Sequence, residues 1–357
     1  MTVESQIPSG FDFEAHRRAA VDQYQKRGPL YESFAEVVKA ILGEALRNRR
    51  IKVASIEARA KTLESFAQKA ADPLEADPSK PKYGNPLEEI TDLAAARVIT
   101  FFLKDIQEVD RLIGAEFGVV ERTDKADILL KEDRLGYQSV HYIVELRPNR
   151  TCLPEYSRYS GLKAEIQLRT VLQHAWAEIE HDIQYKSIET IPKEIRRRFT
   201  ALAGLLEIAD REFQAVQADD ERLRQQARRS VAQGKLNEVE ITGDALKAYL
   251  DQKLGSDGRM TASGYDWTAK LLRRLGFTNF SQIEKAIAPY DHDALSRTIH
   301  GNRQGQLTRF EDMILAATGQ DFIEKHELAN TTWWRSWKQA HLDKMRNGGI
   351  AIGTYVQ

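Results

Sequence analysis

Two stretches of the chain alternate chemistry-bearing side chains with aliphatic ones. From 137 to 146 one parity carries Tyr137, Ser139, His141, Ile143 and Glu145, and the other carries Gln138, Val140, Tyr142, Val144 and Leu146. From 162 to 169 the division is sharper, with Lys163, Glu165, Gln167 and Arg169 set against Leu162, Ala164, Ile166 and Leu168. Period-two alternation predicts strands whose apolar faces pack on helices while their polar faces look out together. A solvated sheet face alternates in the same way. Adjacent strands offering a carboxylate, a guanidinium, an ammonium, an imidazole and a phenol fit a site for a charged, aromatic ligand better.

Upstream, Val53, Ser55, Glu57, Arg59 and Lys61 share a parity. A planar guanidinium that grips two oxygens and a mobile ammonium beside it suit a polyphosphate. Asp92 stands at the mouth of the apolar run Leu93 to Phe102. An acid there is either a turn or helix cap or a metal ligand, and the cap is the commoner role.

Other elements must position these groups. Residues 12 to 50 read as mostly helix, with Phe34, Val38, Ile41, Leu42 and Ala45 at helical spacing and Pro29 separating a shorter segment before them. Thr62 is placed to cap a helix running to Lys69. The proline-rich segment from Asp72 to Pro86 reads as a loop, Asp105 to Phe117 as an amphipathic helix, and Val119 to Ile128 as extended chain. Pro192 opens a helix whose stripe is Ile195, Phe199, Leu202, Leu206, Ala209 and Phe213, with Arg196, Arg197 and Arg198 opposite. The run Arg222, Arg224, Arg228 and Arg229 is ordinarily a solvated face and otherwise a grip for RNA. Trp333 and Trp337, one helical turn apart, read as a core or interface anchor.

With 357 residues and 42% hydrophobic content the chain has material for one large or two ordinary domains, each with a core. A net charge of -1 gives no global attraction to nucleic acid or membrane, so any such partner needs a local patch. A single cysteine, Cys152, excludes an internal disulfide and a cysteine-based zinc site. The start lacks the pattern of a secretory signal, and no apolar run reaches the about 18 residues of a membrane helix. The expectation is a cytoplasmic protein with no membrane partner.

Five motifs in order resemble the synthetase domain of the RelA/SpoT alarmone synthetases. They are Arg59-x-Lys61-x3-Ser65-x3-Lys69, Asp92-Leu-Ala-Ala-Ala-Arg97, Gly136-Tyr-Gln-Ser-Val-His-Tyr, Glu165-Ile-Gln-Leu-Arg-Thr170, and His174-Ala-Trp-Ala-Glu-Ile-Glu-His181-x3-Tyr185-Lys186. The resemblance covers about 50 to 215. It implies an α+β fold, a mixed β-sheet of about five strands flanked by helices and nucleotidyltransferase-like; the helical C-terminal extension, set off by a composition break at Lys235 to Ile241, matches no feature of that family. The domains expected are an N-terminal helical segment (1–50), the synthetase domain with its following helices (51–232), and a mostly helical accessory domain (233–357).

The same resemblance implies transfer of pyrophosphate from ATP to the 3'-hydroxyl of GDP or GTP, giving (p)ppGpp and AMP. Asp92 and Glu165 are similar to the family's magnesium carboxylates and are the expected catalytic pair. Arg59 and Lys61 are expected to clamp the ATP phosphates, with Ser65, Lys69 and Arg97 in support. Tyr137 is expected to stack on the acceptor's guanine, while His141, Gln167 and Arg169 orient its ribose and phosphates. Asp92 is the first candidate to accept the hydroxyl proton. Ala95 stands where many relatives carry glycine. The residues before Arg59 are too few for the hydrolase domain of the long relatives, and the expectation is of no alarmone hydrolysis. A homo-oligomer is expected. The rival reading is a toxin-type relative that pyrophosphorylates the 3' end of tRNA through a basic patch, with the C-terminal region as restraint; a non-enzymatic RNA-binding regulator has little use for both Asp92 and Glu165.

Overall fold

Strict alternation at Val140–Leu146 and Ala164–Thr170, where buried and partly exposed residues follow one another, gives the sheet one greasy and one polar face, whereas the edge strand Phe117–Asp124 is mostly exposed. The computed structural model describes residues 11–124, 139–185, 193–256 and 260–355. Contacts divide the chain into two compact units, Met1–Val216 and Gln217–Gln357.

The first unit opens with α1 (Phe13–Arg49), capped by Asp12, whose side chain accepts from the Ala15 N–H. Pro29 lies inside this helix rather than separating two segments. Then come β1 (Val53–Ala60), α2 (Leu63–Ala70), a short ribbon of β2 (Pro73–Leu74) and β3 (Asp77–Pro81), the single turn α3 (Pro86–Glu89), and β4 (Ala94–Thr100). The ribbon replaces the expected loop over 72–86; it pairs Pro73 with Pro81 and Leu74 with Asp77. The unit continues through α4 (Leu103–Glu116), β5 (Phe117–Asp124), β6 (Val140–Leu146), the single turns α5 (Pro148–Thr151) and α6 (Pro154–Ser157), β7 (Ala164–Thr170), α7 (Val171–Tyr185) and the start of α8 (Lys193–Ala232).

The sheet order is β1-β4-β7-β6-β5, with β4 and β7 parallel and every other pair antiparallel. This is the mixed five-stranded α+β architecture expected from the sequence. Its apolar face carries Ala96, Val98, Tyr142, Val144, Ile166 and Leu168, buried in one core with Phe34, Val38 and Leu42 of α1 and Val109, Leu112 and Ile113 of α4. Burying a side chain of that size contributes roughly 1.5–3 kcal/mol, and the core therefore fixes which strand parity faces outward.

The stripe expected on α8 is only half inward: Phe199, Leu206 and Ala209 are partly buried, with Phe199 against the Trp176 ring at 4.8 Å. Ile195, Leu202 and Phe213 are exposed, whereas Ala203 and Asp210 are buried. The Thr170 hydroxyl donates to Asp210 Oδ2 at 2.7 Å, so a buried polar contact, which hydropathy does not register, sets the rotation of this segment.

Among the described residues the second unit holds the rest of α8 and seven further helices: α9 (Gly243–Leu254), α10 (Ala262–Arg274), α11 (Phe280–Ile287), α12 (His292–His300), α13 (Gln306–Thr318), α14 (Gln320–Lys325) and α15 (Thr332–Asn347). Ala227 and Val231 of α8 pack with its core of Tyr249, Leu272, Phe280, Phe310 and Leu342, so contacts divide the chain within α8, upstream of the composition break at Lys235 to Ile241. Trp334 is the buried tryptophan of its cluster, stacked on His326 at 4.1 Å, while Trp333 and Trp337 are exposed. No helix of the described residues is long and apolar enough to cross a membrane.

Candidate active site

Strand register assembles the site in rows across the outward face. One row runs Arg59, Ala95, Glu165 and Ile143 over β1, β4, β7 and β6; the next runs Glu57, Arg97, Gln167 and His141. Glu57 thus lies beside Arg59 along β1 and beside Arg97 across to β4, so carboxylates and cations neighbour one another on this face. The small Ala95 methyl between Arg59 and Glu165 leaves room for a cavity of about 220 Å³ lined by Glu57, Arg59, Lys61, Asp92, Ala95, Arg97, Glu165 and Gln167.

Asp92 sits just before β4, where it binds two ammonium groups. Lys61 Nζ donates to Oδ2 at 2.8 Å, and Lys69 Nζ lies 3.1 Å from Oδ1. The commoner role of an acid in this place, a cap, is therefore not what Asp92 performs. Burial works against its charged form, but the Lys61 and Lys69 ammoniums outweigh it and hold the carboxyl below the usual aspartate range. Lys69 reaches Asp92 because α2 is oriented by its cap: the Thr62 side chain accepts from the Ser65 N–H at 3.3 Å. Ser65 is exposed in the first turn of α2, where its Oγ accepts from the Thr62 hydroxyl at 2.9 Å, and it is not among the residues lining the cavity.

Glu165 is fastened on both oxygens. His141 Nδ1 is 2.8 Å from Oε1, and Gln167 Nε2 donates to Oε2 at 2.9 Å. Ser139 Oγ lies 2.9 Å from His141 Nε2. An imidazole protonated on Nδ1 satisfies both contacts, with the carboxylate and Nε2 accepting. Burial raises the Glu165 carboxyl and the nearby Asp92 charge adds to that, but His141 and Gln167 prevail and hold it below the usual range. His141 and Gln167, expected to orient an acceptor, thus contact Glu165 in this structure.

Arg97 is the hub of the neighbouring row. Its Nη1 donates to Glu178 Oε1 at 2.9 Å and lies 3.5 Å from both Glu57 Oε2 and His174 Nδ1. Burial and the Arg97 charge pull the Arg169 guanidinium below its usual range. The Nε atoms of Arg97 and Arg169 are both buried without a hydrogen-bond partner. Arg59 is exposed on the edge strand at the rim of the cavity. Tyr137 lies outside the described residues. The sequence placed Glu57 in the run that carries Arg59, and His174 and Glu178 in the fifth motif, but gave none of the three a role; the structure gathers them around Arg97.

In chemical terms the site offers two ionised carboxylates on one cavity, ringed by ammonium and guanidinium groups. Carboxylate oxygens are what a hard divalent cation takes, and Arg and Lys are what phosphate oxygens take, so the donor set suits a metal-bound polyphosphate.

Comparison with known proteins agrees with this chemistry. Residues 58–190 match the model of the region found in RelA / SpoT proteins. Two Bacillus subtilis (strain 168) proteins, GTP pyrophosphokinase YwaC and GTP pyrophosphokinase YjbM, are each 30% identical to the chain over 138 and 135 residues. Each match covers 37% of this chain and 60% of the relative, so the chain spans less than two thirds of the curated relatives it matches. The solved small alarmone synthetase 1 from Bacillus subtilis aligns with a TM-score of 0.47 and 23% identity over 56% of this chain and 99% of that one. The sheet that carries this charged face thus lies within the segment, residues 58–190, that is similar to the region found in RelA / SpoT proteins.

Proposed function

We propose that the chain is a (p)ppGpp synthetase that transfers the β,γ-pyrophosphate of ATP to the 3'-hydroxyl of GDP or GTP. The observation that carries this reading is the single cavity lined by Arg59, Lys61, Asp92 and Glu165, within the segment shared with the RelA/SpoT region. The 3'-oxygen attacks the β-phosphorus, the bond from that phosphorus to the α,β-bridging oxygen breaks, AMP departs with that oxygen, and the hydroxyl proton is released. Little covalent work falls to the protein in such a transfer; positioning and charge stabilisation dominate.

Arg59 and Lys61 bind the phosphates in this reading, with Lys61 exchanging its Asp92 oxygen for a phosphate oxygen. Asp92 and Glu165 hold magnesium, which when bound supplies charge neutralisation at the phosphate oxygens. His141 and Gln167 keep Glu165 ionised and aimed at the cavity. Asp92, the sequence-based candidate for proton acceptor, is held below its usual range by two lysines and is correspondingly a weaker base than a free carboxylate.

The tRNA reading draws less support. Arg222 is paired with Asp219, while Arg224 and Arg228 both reach Asp244, so much of that basic run is neutralised within the chain. We further propose, with the same activity, that the chain makes the alarmone without hydrolysing it and works as a homo-oligomer in the cytoplasm. Incubation with magnesium and ATP labelled on the terminal phosphate tests the acceptor: label in guanosine tetra- or pentaphosphate supports the reading, and label on tRNA alone replaces it.

A further inference from the structure

The second unit buries polar groups that its apolar core does not need. Asp312 on α13 is wholly buried, and its Oδ2 accepts from His300 Nε2 at 2.9 Å. His300 closes α12, and its ring stands 5.0 Å from that of His341 on α15. Asp312 Oδ1 and His341 Nδ1 are both buried without a hydrogen-bond partner, and His341 is only 3% exposed. Leaving a carboxylate oxygen and an imidazole nitrogen unpaired in the interior is costly.

One ligand atom from each of His300, Asp312 and His341 lies within 4.8 Å of the others. We propose that these three residues bind a divalent transition-metal ion, zinc in the first instance, that ties α12, α13 and α15 together. A tetrahedral zinc at roughly 2.0–2.1 Å from each ligand spaces them about 3.4 Å apart, so modest side-chain rotation closes the set. Two imidazoles and a carboxylate suit zinc or iron(II) over magnesium or calcium, which favour all-oxygen shells. The ion gives both unpaired atoms a partner. His300 remains partly exposed, which leaves an entry route and a fourth position open to water or a small anion. Lys344, whose Nζ donates to the Ile299 carbonyl at 2.6 Å, and Lys338, whose Nζ lies over the Phe322 and Trp337 rings, are held by groups other than Asp312.

The test uses the full chain, stripped with a chelator, loaded with zinc and exhaustively dialysed. Elemental analysis should find about one zinc per chain, unchanged in Glu165→Gln and lost in His300→Gln and His341→Gln. Removing a ligand should weaken binding by more than the roughly 10–100-fold typical of groups that only support ligands. Zinc should also slow amide exchange in α12, α13 and α15 of the starting protein and leave it unchanged in His300→Gln. If His341→Gln fails to fold, His300→Gln carries the test, because its ring is at the surface end of the cluster. No zinc retained by the starting protein, or an equal amount retained by His300→Gln, overturns the proposal.

Discussion

Lys69→Met separates the contribution of one ammonium to the heart of the site. Lys69 Nζ is 3.1 Å from Asp92 Oδ1, and the two side chains keep 32% and 20% of their exposure. At that distance and an effective dielectric of about 20, the gross attraction is about 5 kcal/mol. Partial desolvation of both groups, solvent screening and the competing Lys61 offset most of it, leaving about 1–2 kcal/mol net. The expected loss in Lys69→Met is therefore about 1–2 kcal/mol of local stability, read as faster amide exchange in β1 and β4 peptides, which report the first unit alone. In an Asp92→Asn background the same substitution should cost almost nothing, because the charge it served is gone. The sign with pH is fixed by the depressed Asp92 carboxyl: the stabilisation is present above the unfolded aspartate value of about 3.9 and is lost as pH falls through the lower folded value. A double-mutant coupling below about 0.3 kcal/mol would refute the pairing, being no larger than the scatter expected of independent sites.

Glu165→Gln keeps the shape of the side chain but removes its charge, and turnover should fall at least about 100-fold while thermal melting stays close to that of the starting protein; substantial turnover would remove Glu165 from the metal pair. His141→Ala releases Glu165 from the contact that holds its carboxyl down, so the acid limb of the pH–rate profile should move to higher pH; an unmoved limb would show that the imidazole does not tune Glu165. Thr62→Ala removes the α2 cap and should cost about 1 kcal/mol, measured by amide exchange in α2, with a smaller loss in Thr62→Ser.

How much of this was legible depends on the range over which each signal acts. The alternation at 140–146 and 164–170 gave both strands and their outward parity, because one face of each is packed on a largely apolar core. The position of Thr62 before an amphipathic segment gave the α2 cap for a similarly local reason. The Lys61–Asp92–Lys69 cluster was not legible, since Asp92 lies 31 residues from Lys61 and meets it only through the β1–β4 pairing. The grip of His141 on Glu165, 24 residues away, depends likewise on β6 pairing with β7. On α8 hydropathy misled in part: the rotation there follows the buried Thr170–Asp210 contact, and the apolar Ile195, Leu202 and Phe213 face outward. Pro29 was read as a break, but the long α1 passes through it, anchored on either side by Tyr24, Tyr31 and Phe34 in the core.

The central claim is that the charged sheet face transfers pyrophosphate to a guanosine nucleotide. The most direct measurement follows the terminal label of ATP, with magnesium present, into separate reactions offering GDP, GTP and deacylated tRNA. The account predicts labelled guanosine tetra- or pentaphosphate, formed together with AMP and abolished in Glu165→Gln. Label transferred to tRNA alone, or no transfer to any acceptor by folded protein, would contradict it.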